Sequence, residues 1–254
     1  MSMSYRSHIC STGRSTLGNR KISLGRAPFG NMIGCQMLSR SIGWRSLLWF
    51  VVLIPLLLTS QQGRTAQSIA TYHYDDMRTG WNSQETKLAP GNVGTLKLVA
   101  TASVDEQVDA QPLLVPAVTI AGGTHDVVYI ATENNTIFAI DAATGAVLIS
   151  RNLGTAVSQA NLPGKCGSNS AVVGIGSTPA IDPTSKTIFV MAYTLNSASQ
   201  PSYVLHALDW HTLADKLTPR TVSASATLNN GTSYNFNPSV SRQRAALLEM
   251  NGSI

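Results

Sequence analysis

A seven-residue pattern that occurs twice constrains this chain more than any other feature. Ala139-Ile-Asp141-Ala-Ala-Thr144-Gly145 recurs as Ala207-Leu-Asp209-Trp-His-Thr212-Leu213, and each copy follows a β-branched and aromatic run, Val127–Thr132 or Thr187–Tyr193. Strand–strand–turn units repeating at a fixed period are the mark of a β-propeller or a related array. The Asp-x-x-Thr-Gly turn has a mechanical basis. An Asp carboxylate accepts hydrogen bonds from backbone N–H groups two or three residues on, and Gly supplies the left-handed conformation of a three-residue hairpin loop.

Around each copy the sequence predicts a set of short strands. The first set comprises Leu96–Ala102, Gln111–Val115, Val127–Thr132, Thr136–Asp141 and Val147–Asn152, with a tight hairpin at Glu133-Asn134-Asn135 and a short helical turn near Ala89–Val93. The second comprises Thr178–Ile181, Thr187–Tyr193, Tyr203–Asp209 and a weaker strand near Thr221–Ser225. Pro112 and Pro179 lie 67 residues apart, Ala139 and Ala207 68 apart, which is one repeat. Four short strands in series make one propeller blade. Gly154–Gly176, rich in Gly, Ser and Asn, is expected as a long surface loop and the first place to seek a binding feature. A third set starts at Asn237-Pro238, continues through a strand at Ala245–Met250 and turns at Asn251-Gly252. The fold class is therefore all-β, an incomplete β-propeller of about two four-stranded blades plus the start of a third. A closed ring has 4–8 blades, so the expectation is a fragment of a longer protein, with association to complete the sheets as the alternative.

Charge separates the chain into parts. Eight of the 18 basic residues precede residue 65, and no acidic residue appears before Asp75. The formal charge of +5 thus belongs to the leader, and the remainder, near −3, carries no basic stripe. Nucleic acid is excluded as the expected partner. The apolar run Leu47–Leu58 follows Arg40 and Arg45 and leads to small residues around Ala66-Gln-Ser68, the layout of a secretory signal peptide. An uncleaved N-terminal membrane anchor through residues 47–58 is the alternative. Residues 1–46 are expected as a disordered basic leader, with a true start at Met37 or Met32, residues 47–68 as signal region and cleavage site, and residues 69–254 as the partial propeller. The expected location is secreted or periplasmic. Of three cysteines, Cys10 and Cys35 lie in the leader, so Cys166 has no partner for an internal disulfide in the mature chain.

The pattern Ala139, Asp141, Thr144, Gly145 resembles the blade signature of pyrroloquinoline-quinone-type (quinoprotein-like) β-propellers, with Ile149 where that family has the Trp that docks one blade on the next. The second copy keeps Ala207, Asp209 and Thr212, with Leu213 for the Gly and Leu217 for the Trp. Arg78-Thr-Gly-Trp-Asn-Ser-Gln-Glu-Thr, Ala110-Gln-Pro-Leu, Asp126-Val-Val-Tyr-Ile-Ala-Thr-Glu, Cys166-Gly, Gly174-Ile-Gly-Ser-Thr-Pro-Ala-Ile-Asp, Leu205-His-Ala-Leu-Asp and Arg242-Gln-Arg-Ala-Ala-Leu-Leu resemble a secreted bacterial branch of the group, over about residues 70–254. The resemblance implies a propeller that continues beyond Ile254. It also raises quinone-dependent alcohol or sugar oxidation. The family's dehydrogenases clamp the quinone with adjacent cysteines and a Trp floor, and hold Ca²⁺ with Glu, Asn and Asp. This chain has no adjacent Cys pair, and no such acidic set maps onto it.

Candidate chemistry is sparse. His206 and His211 flank Asp209, but their odd spacing along a strand sends them to opposite faces. His125 beside Asp126 reads as solvated. His73, Asp75, Asp76 and Arg78 form the densest polar cluster, suited to pinning the N-terminal segment or to binding. Gly176-Ser177-Thr178-Pro179 lacks the second Gly of a nucleophile elbow, and Gly174-Ile-Gly176 is too short for a dinucleotide fingerprint. Asn134, Asn230 and Asn251 start glycosylation-type triplets. No catalytic, cofactor-binding or metal-ligating residue is assigned, and the cofactor is left unknown. The expected function is an exported binding or scaffold propeller with a protein or carbohydrate partner; the alternative is the N-terminal part of a quinone-dependent dehydrogenase.

Overall fold

A computed structural model describes residues 21–26, 67–163 and 170–254. Leu47–Leu58, Met32, Met37 and Cys166 lie outside the described residues, as do the signal and start-site expectations that rest on them. Among the described residues no helix is long and apolar enough to cross a membrane.

The chain is all-β. Its strands are β1 (Lys21–Arg26), β2 (Lys97–Ser103), β3 (Leu113–Ile120), β4 (Gly123–Ala131), β5 (Thr136–Asp141), β6 (Val147–Asn152), β7 (Val157–Ser158), β8 (Val172–Val173), β9 (Ala180–Asp182), β10 (Thr187–Leu195), β11 (Pro201–Asp209), β12 (Arg220–Thr221), β13 (Ser225–Thr227) and β14 (Ser233–Asn235). Two four-stranded antiparallel sheets dominate, β3-β4-β5-β6 and β9-β10-β11-β12, each with strands in sequential order. These are two propeller blades, and they do not close into a ring. The third unit appears as the bridge Met250↔Ser253 around Asn251 and Gly252, both with positive φ. Ala245–Met250 differs from the expected strand. Among the described residues its backbone meets no ladder beyond that bridge, and Leu247 instead donates its N–H to the Thr178 carbonyl at 3.0 Å.

The repeated turn behaves as its chemistry requires. In the first copy Asp141 Oδ1 accepts the N–H groups of Ala143 and Thr144 at 2.9 and 2.7 Å; in the second, Asp209 Oδ1 accepts those of His211 and Thr212 at 2.9 and 3.1 Å. The backbone bonds Gly145 N–H to Asp141 O and Leu213 N–H to Asp209 O are both 2.8 Å. Gly145 has φ +73° and Leu213 φ +57°, so the second copy places a leucine where a left-handed residue is needed. Asn135, at φ +58°, closes the expected β4–β5 hairpin.

The blades pack face to face. Leu113, Val127 and Ile137 of the first meet Ile188, Val190 and Leu208 of the second in one cluster, and each such buried side chain contributes about 1.5–3 kcal/mol. Polar ties cross the same interface. Asn135 Nδ2 donates to the carbonyl of Tyr193 on β10 at 2.8 Å, while its second bond, to Gly154 just past β6, stays beside the first blade at 3.2 Å. Arg151 on β6 donates to the Leu213 carbonyl at 2.6 Å and pairs with Asp215. The N-terminal segment stitches the inner strands: Ile69 bridges Leu114 of β3, and the Ala70 carbonyl accepts the Ile181 N–H of β9 at 2.8 Å.

One expectation is corrected here, and one strand lies within the leader. Gly154–Gly176 is more than a surface loop: it contains β7 and β8, and Val157, Leu162 and Val173 bury against Tyr193 and Tyr203. The apolar side chains among its Gly, Ser and Asn drive that docking. Within residues 1–46, expected to lack structure, Lys21–Arg26 form β1 along the edge of β2, Lys21 opposite Ser103. A bare strand edge is a template for such pairing.

Candidate functional site

Tyr193 on β10 and Tyr203 on β11 are direct cross-strand partners. Their rings stack, with centroids 4.4 Å apart, on the face of the second blade that points away from the first. Both hydroxyls reach the segment that follows β14. Tyr193 Oη donates to the Pro238 carbonyl at 2.9 Å. Tyr203 Oη donates to the Ser241 carbonyl at 2.9 Å and accepts the Gln243 N–H at 3.0 Å. Burial and the neighbouring Tyr203 push the Tyr193 phenol up to about 12; burial also raises Tyr203. Both therefore stay protonated and serve as fixed anchors at neutral pH.

The anchored segment stands off the sheet and leaves a groove of 340 Å³, floored by Met191, Tyr203, Val222 and Phe236 and rimmed by Arg242 and Arg244. Both arginines are exposed. Arg244 Nη2 lies 3.5 Å from Asp109 Oδ2. Among the described residues the Arg242 guanidinium has no hydrogen bond or ion pair. Behind the rim sits Glu133, buried at the β4–β5 tip, its Oε2 accepting the Gly174 N–H at 2.7 Å. Burial pushes its carboxyl up and Asp109 adds to the shift, while the Gly174 hydrogen bond, Arg242 and Arg244 oppose it. Gly174 is obligatory at this point: a Cβ there would stand 2.5 Å from the Glu133 carbonyl oxygen. Gln107 Oε1 and Ser177 Oγ are buried with no partner among the described residues.

The histidines go elsewhere. His125 is not free in solvent as expected; its Nδ1 lies 2.6 Å from Asp141 Oδ2, because β4 and β5 pair and bring the repeat turn beside it. His206 is buried with Nδ1 2.9 Å from Asp215 Oδ1, and its Nε2 has no partner among the described residues. His211 lies 3.4 Å from Asp209 and accepts the Trp210 indole N–H at 2.9 Å. The two therefore engage different carboxylates. In the N-terminal cluster His73 stacks on Tyr72 at 3.9 Å, Asp75 takes up Thr79, and Arg78 donates to the Ala246 carbonyl at 2.9 Å. His73, Tyr74 and Arg78 all have positive φ. The Arg78 bond ties the segment to the chain around Ala246.

The sequence has no adjacent cysteines, and among the described residues no three His, Cys, Asp or Glu side chains gather where one ion could be held. The groove offers an apolar floor, a guanidinium fork and a buried carboxyl, a set suited to holding a molecule in one orientation. In the sequence Arg242-Gln-Arg244 stands out only within a resemblance and Glu133 only as a hairpin residue. The available signal was the tyrosine pair, two aromatic residues on neighbouring strands ahead of an alternating Arg-x-Arg.

No protein-family model matches the chain, and no curated protein matches it. Among solved structures the chain is similar to the crystal structure of BamB from Moraxella catarrhalis, with a TM-score of 0.33 and 16% sequence identity over 59% of this chain and 45% of that one. The chain thus spans under half the length of that protein.

Proposed function

We propose that this chain is an exported β-propeller module of the quinoprotein-like type that works by binding, with the groove beside Tyr203 and Arg242 as its contact surface for a protein or carbohydrate partner. The observation that carries the reading is the Arg242 guanidinium, without hydrogen bond or ion pair among the described residues, lining a 340 Å³ groove with an apolar floor. Other charged groups support the fold: Asp141, Asp209 and Asp215 hold turns and blade contacts. The near-neutral-to-acidic balance after residue 65 argues against nucleic acid. The positively flanked run Leu47–Leu58 supports export, as a cleaved signal or a retained anchor.

The test immobilises the full chain and its Arg242→Gln variant and passes over both the polysaccharides and proteins of the extracytoplasmic fraction. A partner held by the first and released by the second is the expected result. Dye reduction by the chain on addition of the quinone, Ca²⁺ and an alcohol or sugar would overturn the reading in favour of a dehydrogenase.

A further inference from the structure

The groove is a pocket rather than a flat sheet face. The far side of β10 and β11 would offer a plane to another sheet, but the Ser241–Ala245 segment stands beside it and lines a concave volume of 340 Å³. That volume lies at the low end of the range for small-ligand pockets. Its floor is a thioether, a valine and two aromatic rings, which gain by covering an apolar body and offer a sugar few hydroxyl partners. The Tyr203 hydroxyl is already used on both sides, donating to Ser241 and accepting from Gln243. Polar recognition therefore falls to the rim.

The sign and size of the ligand's charge follow from the rim. Arg242 and Arg244 bring two positive charges; Asp109 faces Arg244 at 3.5 Å and offsets one. Glu133, packed behind them with its carboxyl held by Gly174, is disfavoured as an anion by burial. Among the described residues Arg242 is left as the guanidinium with no hydrogen bond or ion pair. A doubly charged phosphate would meet the Asp109 carboxylate at close quarters, whereas a carboxylate matches the planar fork of one arginine.

We infer that the groove binds a small amphiphilic monocarboxylate, its aryl or alkyl body on Met191, Tyr203, Val222 and Phe236 and its carboxylate paired with Arg242. The inference rests on the binding-module reading and names the chemistry of what that surface holds.

N-acetylphenylalanine and its uncharged amide are the probes, titrated calorimetrically into the full chain, Arg242→Gln and Phe236→Ala. The acid binds about tenfold more tightly than the amide, the worth of a charge-assisted pair. Arg242→Gln brings the acid down to the level of the amide and leaves amide binding unchanged, which shows that the groove is still formed. Phe236→Ala weakens both. Equal binding of acid and amide, an unchanged acid affinity in Arg242→Gln, or no binding of either overturns the inference. So does a concentration-dependent dimer that the acid fails to dissociate, since a second copy then fills the groove. If the macromolecular partner is still retained in any of these cases, the binding-module reading survives while the carboxylate falls.

Discussion

The phenol of Tyr129, on the second strand of the first blade, donates a 2.6 Å hydrogen bond to the backbone carbonyl of Trp210 in the repeat turn of the second. Both residues are buried, so water does not replace the bond when it is removed. Tyr129→Phe keeps the ring and strands the carbonyl. A loss of about 1–2 kcal/mol is expected, read as a lower denaturant midpoint with an unchanged slope.

The two repeat turns lose stability for different reasons when the residue at their left-handed position is changed. Gly145→Ala adds a Cβ 2.9 Å from that of Ala100 and 3.2 Å from the Thr101 carbonyl, at φ +73°. Leu213→Gly relieves backbone strain of about 1–2 kcal/mol. It also empties a fully buried site in the interblade core, at a cost of about 2–5 kcal/mol. The core term wins. Both variants melt earlier than the parent in a thermal scan, and Leu213→Gly more so than the Leu213→Met variant, which keeps the volume.

Acid should weaken the blade contacts through three aspartates. Burial works against the charge on Asp141, Asp209 and Asp215, but hydrogen bonds outweigh it and hold each carboxyl below its usual value. For Asp141 the donors are His125, Thr144 and Ala143; for Asp215 they are Arg151 and His206. A folded value below the unfolded one means stability is present above the ordinary Asp pKa of about 3.9 and is lost as pH falls through the folded value. Denaturant midpoints measured from pH 6 downward fall below about pH 4. In Asp215→Asn the fall is shallower, from a lower starting stability.

Glu133 has the opposite sign. Burial raises its carboxyl above the ordinary value, so its contribution is full below the unfolded pKa of about 4.3 and declines as pH rises through the folded one. Glu133→Gln keeps an acceptor for the Gly174 N–H, and its stability relative to the parent rises between pH 4 and pH 8 in the same denaturation assay. A flat difference across that window would contradict the assignment.

Close approach at the same corner gives a sharper contrast. Gly174→Ala places a Cβ 2.5 Å from the Glu133 carbonyl oxygen and 2.9 Å from the Asn135 nitrogen, both backbone atoms. Gly91→Ala meets nothing within 4 Å. The first lowers soluble yield and melting temperature sharply. The second leaves both unchanged.

The blades were legible where hydrophobic alternation and turn chemistry agree. Thr136–Asp141 and Val147–Asn152 appear with the bounds the sequence predicts. β3 and β4 run longer than expected, because Ala121 and Gly122 form a tight positive-φ turn hidden between prolines and threonines. Gly154–Gly176 was misread since its buried residues, Val157, Leu162 and Val173, follow no regular period. The pairing of His125 with Asp141 depends on strand register, which composition around His125 does not encode. The groove was the least visible feature. Tyr203 and Arg242 are distant in sequence and meet only through the hydroxyl contacts that follow folding.

Asn135 carries a mechanical consequence. One side-chain amide fastens a hairpin tip of the first sheet to two separate strands of chain, through the carbonyls of Tyr193 and Gly154. Sliding of one sheet past the other would have to break the bond to Tyr193 on β10, so shear is resisted by a polar tie as well as by apolar packing. The neighbouring pair of sheets will swing as one plate, and the aromatic anchors rooted at Tyr193 will inherit that stiffness.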